Sequence, residues 1–262
     1  MDKIVITGIL LPFAGTALGA ACVFFMKKGV GKKLQDALAG SAAGVMVAAA
    51  VWSLMLPALE SAPEGSGKLA AFIPAGAGFI AGTGSLLLLD FMIPRIENRA
   101  LRGKIGDGRE KSTKLMILAV TLHNFPEGLA VGVALAGYLD GNLGVSSASV
   151  AALAFGIAVQ NFPEGAIVSL PLRGAGRSKS RSFLAGVASG AVEPLGAVIT
   201  LAAAHFITPA MPFLLCYAAG AMIYVVVEEL VPQFARGDGA HPGTAAFAAG
   251  FTLMMALDVM LG

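Results

Sequence analysis

Charge is scarce in this chain. Asp, Glu, Lys and Arg make up 13% of its 262 residues, against 56% hydrophobic residues and a mean hydropathy of +0.80, a balance that excludes an ordinary soluble domain. Aromatic residues are few, at 7%, while glycine reaches 34 residues, a bias that suits helices packed closely in lipid through small side chains. Only two cysteines are present, Cys22 and Cys216, both inside apolar stretches, so neither a disulfide nor a thiolate metal site is indicated. Three histidines are too few for a His-rich di-iron oxidase. The sequence also lacks a His-Glu-x-x-His metalloprotease motif and the glycine-lysine phosphate loop of an ATP motor.

What the chain does have is long apolar runs. A helix needs about 20 apolar residues to cross the hydrocarbon core, and eight segments meet that length: 4–26, 35–57, 69–92, 113–137, 146–170, 183–207, 209–233 and 243–261. The fold class expected is all-α, a polytopic membrane bundle in a single transmembrane domain over 1–262. A β-barrel would show ten-residue alternations instead. Because the apolar character never stops, the first segment is expected to be a retained helix and not a cleaved signal. The pairs Gly15/Gly19, Gly40/Gly44, Gly78/Gly82, Gly128/Gly132 and Gly186/Gly190 carry the GxxxG spacing, read here as helix packing.

Basic residues set the expected orientation. The connections after spans 1, 3, 5 and 7 hold fifteen Lys and Arg, with Lys114 at the foot of span 4, against Lys3 and Lys68 on the other side. The positive-inside rule then places both termini outside. The longest connection, 93–112, is expected to be cytoplasmic and mobile, with Gly103, Gly106 and Gly108 in it. Topology explains the basic residues, so nucleic-acid binding has no support.

One polar motif occurs twice in this apolar setting: His123 opens HNFPEG and Gln160 opens QNFPEG. His123 is ten residues into span 4, about 15 Å from the boundary and close to the bilayer centre. Spans 4 and 5 run antiparallel, so the copies are related by inversion, as around midplane substrate sites in transporters. Glu127, Glu164 and Glu193 fall at or near this depth, where an ionised carboxylate costs on the order of 3 kcal/mol. No Lys or Arg lies mid-span to neutralise them, which makes a mobile cation the natural partner. His123 and Asn124 lie four and three residues before Glu127, and Gln160 and Asn161 repeat that geometry before Glu164. Each carboxylate could therefore bridge two ions, one held with His123 and Gln160 and the other with Asn124 and Asn161, and Glu193 would close the second. Pro126 and Pro163 free the carbonyls of Leu122 and Val159 and are expected to kink both helices. Such oxygen-rich ligands with one imidazole suit Zn²⁺, Mn²⁺, Fe²⁺, Co²⁺ or Cd²⁺ better than Cu⁺. No organic cofactor is called for.

At these residues the chain resembles the ZIP (Zrt-/Irt-like) family of divalent metal transporters, in particular its prokaryotic branch. HNFPEG is similar to that family's span-4 signature and QNFPEG to its span-5 signature, and the likeness extends over the eight spans, outside termini and long connection after span 3. The resemblance implies zinc as the most natural cargo, carried across a bacterial cytoplasmic membrane into the cytoplasm as one helix bundle moves against the other. It implies a metal held by His123, Glu127, Gln160 and Glu164, a second by Asn124, Asn161, Glu127, Glu164 and Glu193, and a span-2 methionine nearby, Met46 before Met55. Many family members have His where this chain has Gln160 and an acid where it has Asn161. Glu228 and Glu229, near the inner end of span 7, are candidates for an exit point or proton relay, with a snorkelling interfacial pair the alternative. The partners expected are divalent metal ions and lipid, and a homodimer is left open. The competing classes are an intramembrane metalloenzyme, for which the glutamates lack a nearby nucleophile, and a carrier or channel for another cation such as Na⁺ or H⁺.

Overall fold

The computed structural model describes residues 2–25, 31–60, 67–100, 108–141, 145–204, 210–235 and 241–261, with the backbone alone described for 67–68, 93–100, 108–120, 122–123 and 261. Among these residues there is no strand. The helices are α1 (Lys3–Phe25), α2 (Lys32–Ala49), α3 (Leu56–Glu60), α4 (Gly67–Ala100), α5 (Gly108–Asp140), α6 (Ser147–Gly174), α7 (Lys179–Gly190), α8 (Val192–Ala202), α9 (Met211–Val225), α10 (Val231–Phe234) and α11 (Pro242–Leu261). Among the described residues seven helical stretches are long and apolar enough to cross a membrane. The remaining predicted span, 113–137, lies within the unbroken α5. The fold is therefore the all-α polytopic bundle expected.

One expectation about continuity needs adjustment. Residues 93–112 are not simply a connection: α4 runs on to Ala100 and α5 starts at Gly108. Outside the bilayer a polar helix keeps its backbone hydrogen bonds as readily as it would satisfy them with water. The heart of the connection, 101–107, lies outside the described residues, as do 26–30 and 236–240, which carry further basic residues. The helices also run unbroken through Pro126 and Pro163; the interruptions fall elsewhere. A π turn, Ala50–Met55, joins α2 to α3, and another, Val226–Leu230, joins α9 to α10. Each ends just ahead of a proline, Pro57 or Pro232. The ring would collide with the carbonyl four residues back, Ser53 or Glu228, and widening the helix there moves that carbonyl aside. The sixth span is broken at Ala191, whose N–H turns to the Ala188 carbonyl at 3.3 Å. Pro194, in the first turn of α8, cannot bond back to Gly190.

Helices pack in four close pairs: α1 with α6, α5 with α8, α2 with α11, and α4 with α9. Packing of α1, α5 and α6 against α7 gathers the first two pairs into one group, and α2, α3 and the π turn at Ala50–Met55 join the other two into a second. Glycine makes the close approaches. A methyl added at Gly15 or Gly19 would overlap the carbonyl oxygen of Ala158 or Phe162 on α6. At Gly40 and Gly44 it would meet Gly243 and Phe247 on α11, and at Gly78 and Gly82 it would meet Phe213 and Tyr217 on α9. The groups meet chiefly where α2 lies against α6 and α9 against α5. Large apolar side chains such as Leu18, Phe72, Ile80, Leu88 and Val259 stay exposed, which in a membrane is a lipid-facing surface.

Candidate functional site

The two copies of the motif take up the same posture. In each, Asn, Pro, Glu and Gly are buried (Asn124, Pro126, Glu127, Gly128; Asn161, Pro163, Glu164, Gly165), while Phe125 and Phe162 are 39% and 38% exposed. The closing glycine admits a neighbouring backbone: Gly128 faces the carbonyl of Glu193 on α8, and Gly165 that of Thr16 on α1. Each copy thus presses one polar face against a partner helix within the same group.

The copies also meet each other. Gln160 Nε2 donates to Glu127 Oε1 at 2.6 Å, so a residue of the second motif holds the carboxylate of the first. Asn161 Nδ2 donates to Glu193 Oε2 at 2.7 Å and reaches the carbonyl of Pro12 at 3.4 Å. Asn124 Nδ2 donates to the carbonyl of Ser189 at 3.0 Å, just before the break in the sixth span. The three amide NH₂ groups are therefore spent inside the fold. Their oxygens are not: Asn124 Oδ1, Gln160 Oε1 and Asn161 Oδ1 are buried and accept no hydrogen bond among the described residues. Leaving a buried acceptor unsatisfied costs about 1–3 kcal/mol, a cost that a bound cation removes.

Glu127 and Glu193, each 1% exposed, are bonded to two of these amides, and Glu164, 3% exposed, follows Gln160 by one turn of α6. Among the described residues no three His, Cys, Asp or Glu side chains form a ready metal cluster. His123 lies on α5 one turn before Glu127, and its side chain is outside the described residues. Met46, on α2, is 1% exposed in an apolar core that both helix groups share. Glu228 and Glu229 sit in the π turn between α9 and α10, both felt electrostatically by Tyr224, which donates to Asp90 Oδ2 at 2.5 Å. They are well removed in sequence from the motifs and belong to the other helix group.

Sequence reasoning missed several participants. Thr16 donates its hydroxyl to Glu193 Oε1 at 2.8 Å from α1, and the carbonyls of Pro12 and Ser189 accept from the motif asparagines. A lone hydroxyl between Gly15 and Gly19 was the one signal available for Thr16. Ser53 and Asp258, joined at 2.6 Å between the π turn of the second span and α11, form another polar contact that spacing could not reveal.

A cavity of about 220 Å³ lies between the two helix groups, lined by Gln35 and Leu38 of α2, Ala166, Ile167, Leu170 and Pro171 of α6, and Gln233 of α10. It begins within one turn of Glu164 and extends toward the end of α6 that carries Arg173. A membrane bundle with buried carboxylates and donor-free amide oxygens, and with a cavity between two helix groups, has the form of a cation transporter.

Known proteins agree with that class. The sequence profile of the family described as ZIP Zinc transporter matches residues 108–258. The chain is 38% identical to zinc transporter ZIPB of Bordetella bronchiseptica, over 95% of this chain and 79% of that protein. It is 37% identical to zinc transporter GufA of Myxococcus xanthus over 97% of each. Zinc transporter ZIP11 of Xenopus tropicalis is 36% identical over 97% of this chain and 96% of its own length. The chain belongs to the ZIP family, whose members are transporters and not enzymes.

Proposed function

We propose that this protein carries divalent metal ions, zinc foremost, through the membrane into the cytoplasm. The observation that carries this reading is the set of three buried amide oxygens with no hydrogen-bond donor among the described residues, at Asn124, Gln160 and Asn161, beside the carboxylates of Glu127 and Glu193. A dehydrated divalent cation replaces its water shell with such oxygens, and the acids supply the compensating charge. His123, Glu127, Gln160 and Glu164 are assigned to one ion, with Met46 alongside. Asn124, Asn161 and Glu193 are assigned to a second, which shares the first two carboxylates. Cd²⁺, Fe²⁺, Mn²⁺ and Co²⁺ are admitted by the same ligand chemistry.

The helix grouping supports a route as well as a site. The three acids and the motif amides sit on one group, while Met46, Glu228 and Glu229 sit on the other. The cavity between α6 and α2 with α10 gives the ion a way out toward the basic end of the molecule, past Glu228 and Glu229. With both termini outside a bacterial inner membrane, that end faces the cytoplasm. Sliding of one group against the other would then expose the same ligands to each side in turn.

The test is uptake of Zn²⁺ into proteoliposomes, with Glu127→Ala and Glu164→Ala as controls. Saturable zinc uptake that both substitutions reduce to background is the expected result. Uptake of Na⁺ or H⁺ that is indifferent to both substitutions, with no zinc flux, would replace this reading with the alkali-cation one.

A further inference from the structure

We infer that Thr16 is a positioning residue of the metal site, fixing the Glu193 carboxylate from a helix that supplies no ligand of its own. Thr16 is fully buried in α1, and its hydroxyl donates to Glu193 Oε1 at 2.8 Å while the Asn161 amide donates to Oε2 at 2.7 Å. Both oxygens of the carboxylate are thereby gripped from two different helices. A carboxylate held at both ends keeps one orientation, and its remaining lone pairs point in fixed directions.

Several helical hydroxyls here stay within their own helix, whereas Thr16, like Ser53 and Thr83, bonds to another. A serine or threonine inside a helix ordinarily returns its hydroxyl to a carbonyl three or four residues back. Ser41, Ser169, Ser189, Thr200 and Thr252 all do so, donating to Leu38, Ala166, Gly186, Gly196 and Ala248. Thr16 does not. The carbonyl four residues before it, that of Pro12, is approached instead by the Asn161 amide. The Thr16 hydroxyl reaches across to a residue 177 positions away.

Packing keeps it there. Gly190 of α7 passes so close that an added methyl would lie 2.8 Å from Thr16 Cβ and Cγ2, and Gly165 of α6 abuts the Thr16 carbonyl. The side chain is enclosed by α6 and α7 and has little room to rotate. Glu193 follows the break at Ala191, where helical hydrogen bonding no longer fixes the chain as firmly. An anchor from α1 supplies what the broken helix lacks.

This inference rests on Glu193 being a metal ligand, and the experiment separates the two claims. Zn²⁺ and Cd²⁺ binding to the purified protein is measured by competition with a chromophoric chelator, for wild type, Thr16→Val, Thr16→Ser, Glu193→Ala and Glu127→Ala, and zinc uptake is measured in proteoliposomes. Valine keeps the methyl packing against Gly190 and removes the hydroxyl; serine does the reverse. Thr16→Val is expected to weaken metal binding and raise the uptake KM by about tenfold, the usual effect of losing a group that orients a ligand. Thr16→Ser is expected to restore both to within about threefold of wild type, because it keeps that group. Should the valine variant fail to purify, Thr16→Ala against Thr16→Ser makes the same comparison. Full affinity in Thr16→Val, or a loss in Thr16→Ser as large as in Thr16→Val, would make Thr16 a packing residue and overturn the inference. If Glu127→Ala binds metal like wild type, the site itself is misplaced and both claims fall. If Glu127→Ala and Glu193→Ala both lose binding while Thr16→Val does not, the positioning role alone is lost.

Discussion

At the scale of single residues, the buried acids of the motif region are held by amides. Gln160 donates to Glu127 and Asn161 to Glu193, so each amide restrains a carboxylate while its own oxygen accepts nothing from the described residues. Glu127→Ala removes the carboxylate proposed to touch both ions and should abolish zinc uptake; retention of more than a tenth of the wild-type rate would argue against it. Gln160→His keeps an N–H for Glu127 and replaces the amide oxygen with a ring nitrogen, a better zinc ligand. Zinc affinity should rise by roughly tenfold on chelator competition. An unchanged affinity would mean that Gln160 serves only to hold Glu127. The acids, the amides and their spacing were legible in the doubled motif. The spending of every amide NH₂ inside the fold was not, because it depends on which carbonyls the neighbouring helices bring within reach.

At the scale of helices, glycine decides how near two backbones come. A methyl at Gly15 would collide with the Ala158 carbonyl, whereas one at Gly84 meets nothing within 4 Å. Gly15→Ala should lower stability by about 1–3 kcal/mol, as overpacking does in a filled core. Gly84→Ala should be neutral or slightly stabilising, by up to about 1 kcal/mol, through helix propensity alone. Thermal unfolding in detergent micelles compares them, and equal midpoints would refute the packing argument. The GxxxG spacings pointed to such contacts. They could not say that α1 pairs with α6 or α2 with α11, since spacing on one helix carries no information about its partner. Proline was similarly half-informative. Pro126 and Pro163 drew attention by lying in the motif, yet the π turns form ahead of Pro57 and Pro232, where the N–H of Leu56 reaches Val51 and that of Val231 reaches Val226.

At the scale of the whole molecule, the transport proposed here depends on motion of one helix group against the other. The cavity between α2, α6 and α10 should change volume as the groups move, and Ile167 lines it from the α6 side. Ile167→Trp should lower the maximal uptake rate several-fold and leave equilibrium zinc binding within about twofold of wild type, since the ligands are untouched. Equal losses in binding and rate would show instead that the side chain reaches the site. Orientation is checked by membrane-impermeant thiol labelling of single cysteines. A cysteine at Asp2 should label from outside intact cells, and one at Arg102 only after the membrane is opened. The reverse pattern would invert the direction proposed for transport.

By itself, the sequence determined that this is an α-helical membrane protein with acids and amides inside its apolar spans. Hydropathy and hydrogen-bond satisfaction in lipid leave a chain of this composition no other form. Tertiary structure alone decided which helices touch, that Gln160 grips Glu127, and that α1 enters the site through Thr16. Those contacts join residues 33 and 177 positions apart. Only the packing of glycine-faced helices brings such distant side chains within hydrogen-bonding distance.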